Sequence, residues 1–145
     1  MVYFDTSFVV PLILSEQTSG QIEAFIISQQ GEVLAISHWT RVEVSSALAR
    51  EVRMRKLSAP AARTAEAEFD DIVAESLHLL SPRAGDFDLA TQYVQNYGTG
   101  LRAGDALHLA IASNNRVDAI YSLDKTVLKA GRQLGLPVRT IASRR

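Results

Sequence analysis

The chain contains no cysteine among its 145 residues. That absence excludes disulfides and thiolate metal sites, and it is compatible with a reducing cytoplasm, the expected location. Net charge is nearly absent too: 15 Lys and Arg against 16 Asp and Glu leave −1. No global basic field announces nucleic acid, so any such binding needs local positive charge or a bound cation. The apolar stretch over residues 8–14 is interrupted by Pro11 and has no Lys/Arg cluster before it. It is far shorter than the roughly 20 residues of a membrane span, so no membrane partner is expected and the stretch reads as core. Repeats, low-complexity tracts and linkers are missing as well, and residues 1–145 are expected to form one domain. What is present, 47% hydrophobic and 21% charged residues, suffices to bury a core.

Hydrophobic spacing divides the chain into alternating strands and helices. Residues 2–4 form an apolar run ending in Asp5, followed by Thr6 and Ser7 as capping hydroxyls for a helix with Pro11 in its first turn. Further helices are expected over 19–30, 40–56, 59–76, 86–97, 106–114 and 125–134, with strands over 33–37, 77–80, 119–122 and 138–141 and a polar tail ending in Arg144 and Arg145. The pattern predicts an α/β fold: a mostly parallel sheet of four or five strands in a three-layer α/β/α sandwich.

Four acids stand where such a sheet gathers its ligands. Asp5 and Asp124 end strands, Glu43 lies in the first turns of a helix after a strand, and Asp105 heads a helix too apolar to lie anywhere but against the sheet. Each has an ordinary structural role open to it. Asp5, Asp105 and Asp124 can serve helix starts, and Thr40-x-x-Glu43 matches a capping box. Together they make a cluster that repels itself, by roughly 3 kcal/mol for each pair about 5 Å apart at an effective dielectric near 20. Oxygen donors without cysteine suit Mg²⁺ or Mn²⁺, and a hard cation with open positions can promote phosphodiester hydrolysis.

Asp5-Thr6-Ser7 after a strand, Thr40-Arg41-Val42-Glu43, the segment Gly104-Asp105-Ala106-Leu107-His108-Leu109-Ala110, and Ser122-Leu123-Asp124 follow in an order that resembles the PIN domain. The likeness is nearest the VapC toxins of bacterial and archaeal toxin–antitoxin pairs, runs from Asp5 through the last strand, and is most specific in the Gly104–Ala110 segment. It implies a PIN-like fold and a Mg²⁺- or Mn²⁺-dependent endoribonuclease, usually a homodimer, that hydrolyses RNA and is neutralised by a cognate antitoxin protein. By position it makes Asp5, Glu43 and Asp105 the principal catalytic and metal-site acids and Asp124 the more variable fourth. Ser7 becomes the hydroxyl that orients Asp5, and Ser122 stands where the family often has Thr.

Other residues extend or rival this reading. His108 shares a helix face with Asp105 and is expected to bond within the core rather than to a metal. His38 and His78 are expected to be structural. Arg102, and Arg50 and Arg53 within the basic run to Lys56, are candidates for substrate phosphates. Trp39 and Tyr97 are weighed as base-stacking residues, with burial expected for Trp39. The resemblance further implies an antitoxin groove, for which Phe8, Val9 and Leu12 together with the Ala face of helix 59–76 are the candidates. The competing functions are a phosphotransferase with Asp5 as nucleophile, a PIN nuclease of RNA processing that is not a toxin, and a catalytically silent PIN-like binding module. The first lacks the second Asp two residues on, where Ser7 stands, and the last would have lost one of the acids.

Overall fold

A computed structural model of the chain describes residues 1–141, so the tail with Arg144 and Arg145 lies outside the described residues. The elements run β1 Val2–Phe4, α1 Thr6–Val9, α2 Ser19–Ser28, β2 Leu34–Ser37, α3 His38–Arg53, α4 Ala59–Ser76, β3 His78–Leu80, α5 Ala84–Gln95, α6 Ala103–Asn114, β4 Ala119–Tyr121, α7 Lys125–Gln133 and β5 Val138–Arg139. The five strands are all parallel, in the order β3-β2-β1-β4-β5.

Alternation along the strands divides the core between the two faces of this sheet. Val2, Phe4, Leu34 and Ile36 pack with Phe8, Ile22, Val44, Leu48 and Phe69 from α1–α4. Tyr3, Ala35 and Ile120 face the other way, onto Ala90 of α5, Leu109 and Ile111 of α6 and Val127 of α7. Three layers result, as the sequence predicts. The centre of α6, Ala106 to Ala112, is buried throughout, which is why that helix carries almost no polar residue.

Most element boundaries shift by a residue or two, and three shifts matter. α3 begins at His38 rather than at 40, because Ser37 caps it. α6 begins at Ala103 rather than at 106, which places Asp105 inside its first turn. Pro11 sits in a separate 3-10 turn, Val10–Leu12, instead of the first turn of the helix. Gly131 has a tight packing role: a Cβ there would collide with Val138 Cγ1, so only glycine lets α7 approach β5 this closely.

The strand order places a topological switch between β1 and β4, since the chain moves from β1 toward β3 and returns on the far side of β1. The crevice beyond the carboxyl ends of those strands is where open parallel sheets bind ligands. Asp5 follows β1 directly, and Ser122 to Asp124 follow β4. No helix among the described residues is long and apolar enough to cross a membrane.

Candidate active site

Asp5 is the anchor of this crevice. It is 3% exposed, and its Oδ1 caps α1 by accepting the Phe8 N–H at 3.2 Å. The Ser7 hydroxyl donates to the same oxygen at 2.7 Å, and the Ser122 hydroxyl donates to Oδ2 at 2.5 Å. Ser7 Oγ in turn accepts from the Leu123 N–H at 2.9 Å, and Ser122 Oγ accepts from the Asp124 N–H at 3.0 Å. Two serines thus tie the end of β1 to the loop after β4. Thr6 and Ser7 are not the caps that the sequence suggests. The carboxylate takes that role; the Ser7 hydroxyl turns to it because a buried anion needs donors, and Thr6 Oγ1 lies against His108 Nε2 instead. Burial pushes the Asp5 carboxyl above its usual range, against the pull of the His108 charge and the bonds from Ser122, Ser7 and Phe8.

Glu43 is free of the capping role open to it in sequence. The capping box at the start of α3 joins Ser37 to Thr40: Thr40 N–H donates to Ser37 Oγ at 3.4 Å, and Ser37 N–H donates to Thr40 Oγ1 at 3.2 Å. Glu43, one turn on, instead meets His108 Nε2 with its Oε1 at 2.7 Å. His108 is 2% exposed, and its Nδ1 lies 2.7 Å from the Tyr3 hydroxyl, with Thr6 Oγ1 3.0 Å from Nε2.

The network runs on through Tyr3 into the cap of α3. The Tyr3 hydroxyl donates its hydrogen to Ser37 Oγ at 3.0 Å. His108 thus links Tyr3 on one side of its ring to Glu43 and Thr6 on the other. The ring opposes the upward shifts of the Asp5 and Asp105 carboxyls. His108 therefore bonds within the core, as expected, but its partner there is a carboxylate of the site.

Asp105 and Asp124 line a cavity of about 210 Å³ together with Gly100, Arg102 and Thr126. Asp124 caps α7, its Oδ1 accepting from the N–H groups of Thr126 at 2.7 Å and Val127 at 3.3 Å. Among the described residues no hydrogen bond or ion pair engages the Asp105 carboxylate. Its pKa is pushed up to about 6, by burial first and then by the charges of Asp124 and Glu43, with Asp5 adding a little and His108 opposing. That list is also a map, since each of those groups lies within electrostatic range of one carboxylate. Glu43 closes the arrangement from the other side, with Oε1 3.6 Å from where a Cβ on Gly104 would stand.

The four acids are therefore neighbours at one edge, yet they do not form a finished coordination shell. Among the described residues no three His, Asp or Glu side chains stand as a group ready to hold an ion. Bare carboxylates repel, and here Asp5 turns to its serines and Glu43 to His108. Their chemistry nonetheless fits a hard cation: an all-oxygen donor set in which one carboxylate, Asp105, is destabilised by its neighbours and unpaired.

The remaining expectations divide. Arg102 reaches the acid cavity. Arg50 and Arg53 sit exposed in the second half of α3, about 10 and 15 Å along the helix from Glu43, where they complement the dipole. The structure does not bring them to the site. His38 and His78 are exposed and belong to no hydrogen-bond network among the described residues. Of the residues expected to line an antitoxin groove with the Ala face of α4, Phe8 and Val9 are fully buried in the core with side chains of α2 and α3, and Leu12 is half-buried. The open apolar groove lies elsewhere, a space of about 440 Å³ bounded by Trp39, Phe87, Val94 and Leu107.

The profile of the PIN domain matches residues 2–133. No curated protein sequence matches the chain. Solved structures share its fold at low identity. VapC20 from Mycobacterium tuberculosis, described as a sarcin-ricin loop cleaving toxin, is 19% identical with a TM-score of 0.66, over 90% of this chain and 95% of that one. VapBC2 from Rickettsia felis, bound to a DNA fragment from its promoter, is 12% identical with a TM-score of 0.71, over 98% and 100%. FitAcB from Neisseria gonorrhoeae is 16% identical with a TM-score of 0.67, over 95% and 96%. With the profile covering nearly the whole chain, and with Asp5, Glu43, Asp105 and Asp124 gathered at the switch point of the same fold, the chain belongs to the PIN domain family.

Proposed function

We propose that this protein is a Mg²⁺- or Mn²⁺-dependent endoribonuclease and the toxin of a type II toxin–antitoxin pair, active as a homodimer and held in check by a cognate antitoxin. The observation that carries the reading is Asp105, a half-buried carboxylate with no protein partner among the described residues, surrounded by three further acids. Such a group is costly to keep ionised until a cation joins it.

Asp5, Glu43, Asp105 and Asp124 would hold the ion, directly or through water. When bound, it supplies a Lewis acid for a phosphate oxygen and a water of lowered pKa. The chain's own residues prepare that chemistry. Ser7 and Ser122 fix both oxygens of Asp5, and His108 fixes Oε1 of Glu43 while leaving Oε2 free of it. Arg102 stands at the cavity that Asp105 and Asp124 line, where its guanidinium can receive the substrate phosphate.

The phosphotransferase reading fares worse on this geometry. Asp5 is almost fully buried and accepts three hydrogen bonds from the protein, which suits a carboxylate held still rather than one that attacks in line. The toxin role, rather than a role in RNA processing, is supported by the toxin and toxin–antitoxin structures that share the fold. The test is cleavage of single-stranded RNA with Mg²⁺, with Mn²⁺ and with EDTA, by the wild type, Asp5→Asn and Asp105→Asn. Metal-dependent cleavage confined to the wild type is expected. Cleavage in EDTA, or by either variant at the wild-type rate, would contradict the proposal.

A further inference from the structure

Beside the acid cavity lies a second space of about 420 Å³, bounded by Tyr97, Gly98, Gly100, Lys125 and Lys129. The two are continuous, because Gly100 and Thr126 line both. No acidic side chain lines the outer one. Tyr97 is 88% exposed, the most exposed of the large hydrophobic residues described. It contributes nothing to the core, yet its backbone is held firmly. The turn Tyr97–Thr99 is anchored by the buried Thr99, whose hydroxyl donates to the Asn96 carbonyl at 2.9 Å and accepts the Leu101 N–H at 3.3 Å. Gly100, in a left-handed conformation at φ +68, closes the turn. Lys125 and Lys129 stand four residues apart on α7, on one face of the helix.

A rigidly mounted, solvent-facing aromatic ring beside two cations suits one kind of occupant, a single nucleic-acid strand. Resting on the ribonuclease reading, we infer that the substrate strand leaves the acid cavity across this face, with a base stacked on Tyr97 and its phosphates held by Lys125 and Lys129. Gly100 and Thr126 mark the junction between the two spaces, with Arg102 and the scissile phosphate on the acid side and the stacked nucleotide on the other. This places the positive charge that the near-neutral chain needs beside the site, rather than on the distant Arg50 and Arg53.

Binding of labelled oligoadenylate and oligouridylate to the full chain in EDTA, where no cleavage is expected, tests the assignment. Tyr97→Ala should weaken binding about 10-fold or more, within the range of base–aromatic stacking, and should erase any preference for the purine strand. Tyr97→Phe and Tyr97→Trp should retain affinity, and the indole added by the latter should be quenched on binding. Lys125→Ala with Lys129→Ala should flatten the salt dependence. In metal-loaded cleavage, Tyr97→Ala should raise KM and leave kcat at saturating RNA nearly unchanged. A wild type that binds and cleaves RNA while Tyr97→Ala does both equally well overturns this inference alone. A wild type that neither binds nor cleaves overturns it together with the ribonuclease reading.

Discussion

Replacing Asp105 by Asn should make the metal-free protein more stable at neutral pH. Its carboxyl is raised from 3.8 to about 6 by burial and by the charges of Asp124 and Glu43. Between those two values the folded chain keeps a proton that the unfolded chain has released, so stability falls as pH rises across that window and the full penalty is present above about pH 6. At about 1.4 kcal/mol per tenfold change, the raised value corresponds to about 3 kcal/mol. Water reaches this half-buried group and screens it, which reduces the expected gain to about 1.5 kcal/mol, or about 4 °C in Tm for a chain of this length. Urea unfolding of the wild type and Asp105→Asn in EDTA, from pH 3.5 to 8, measures the difference directly. The two curves should coincide at the acid end and diverge through pH 4–6. A variant that is less stable at pH 7.5, or a difference that does not change with pH, would refute the electrostatic account of the site.

His108→Leu should destabilise the fold by about 2–4 kcal/mol, since it leaves Glu43 without the donor that meets Oε1. It should also push the Asp105 carboxyl higher still by removing an opposing positive charge, visible as an upward move of the acid-side window in the same unfolding series. Gly131→Ala should cost about 1–3 kcal/mol of stability, read from urea unfolding, without affecting metal binding, because its Cβ collides with Val138 rather than with the site. Phe87 is 54% exposed on the groove it shares with Trp39, Val94 and Leu107. If the proposed homodimer forms there, Phe87→Glu should shift sedimentation toward the monomer and remove the concentration dependence of Tm.

The layers and the positions of the acids were legible in sequence, and for physical reasons. Short β-rich runs ending in acids, alternating with helices, admit few arrangements other than a parallel sheet with those acids at one edge. The Gly104–Ala110 segment added a specific resemblance. The helix starts were harder, because Ser37 and Thr40 compete for the same cap, and only the structure shows that Glu43 is released from it. The partnership of His108 was hidden altogether. Its partners Tyr3, Thr6 and Glu43 lie 105, 102 and 65 residues away, and no local spacing encodes a contact of that range. An Asp-x-x-His pair on a buried helix was the one available signal. The apolar run near Phe8 is legible as core, and Phe8 and Val9 are buried there; a groove on the same residues, suggested by the resemblance alone, would need them at the surface.

Calorimetric titration with Mn²⁺ at neutral pH, of the wild type and of Asp5→Asn and Asp105→Asn, tests most directly whether the four carboxylates act as one cation site. Saturable binding by the wild type, with proton release that is small at neutral pH and grows as the pH is lowered toward 6, and its loss in both variants, is the predicted result. Equal binding by Asp105→Asn, or none by the wild type, would contradict it.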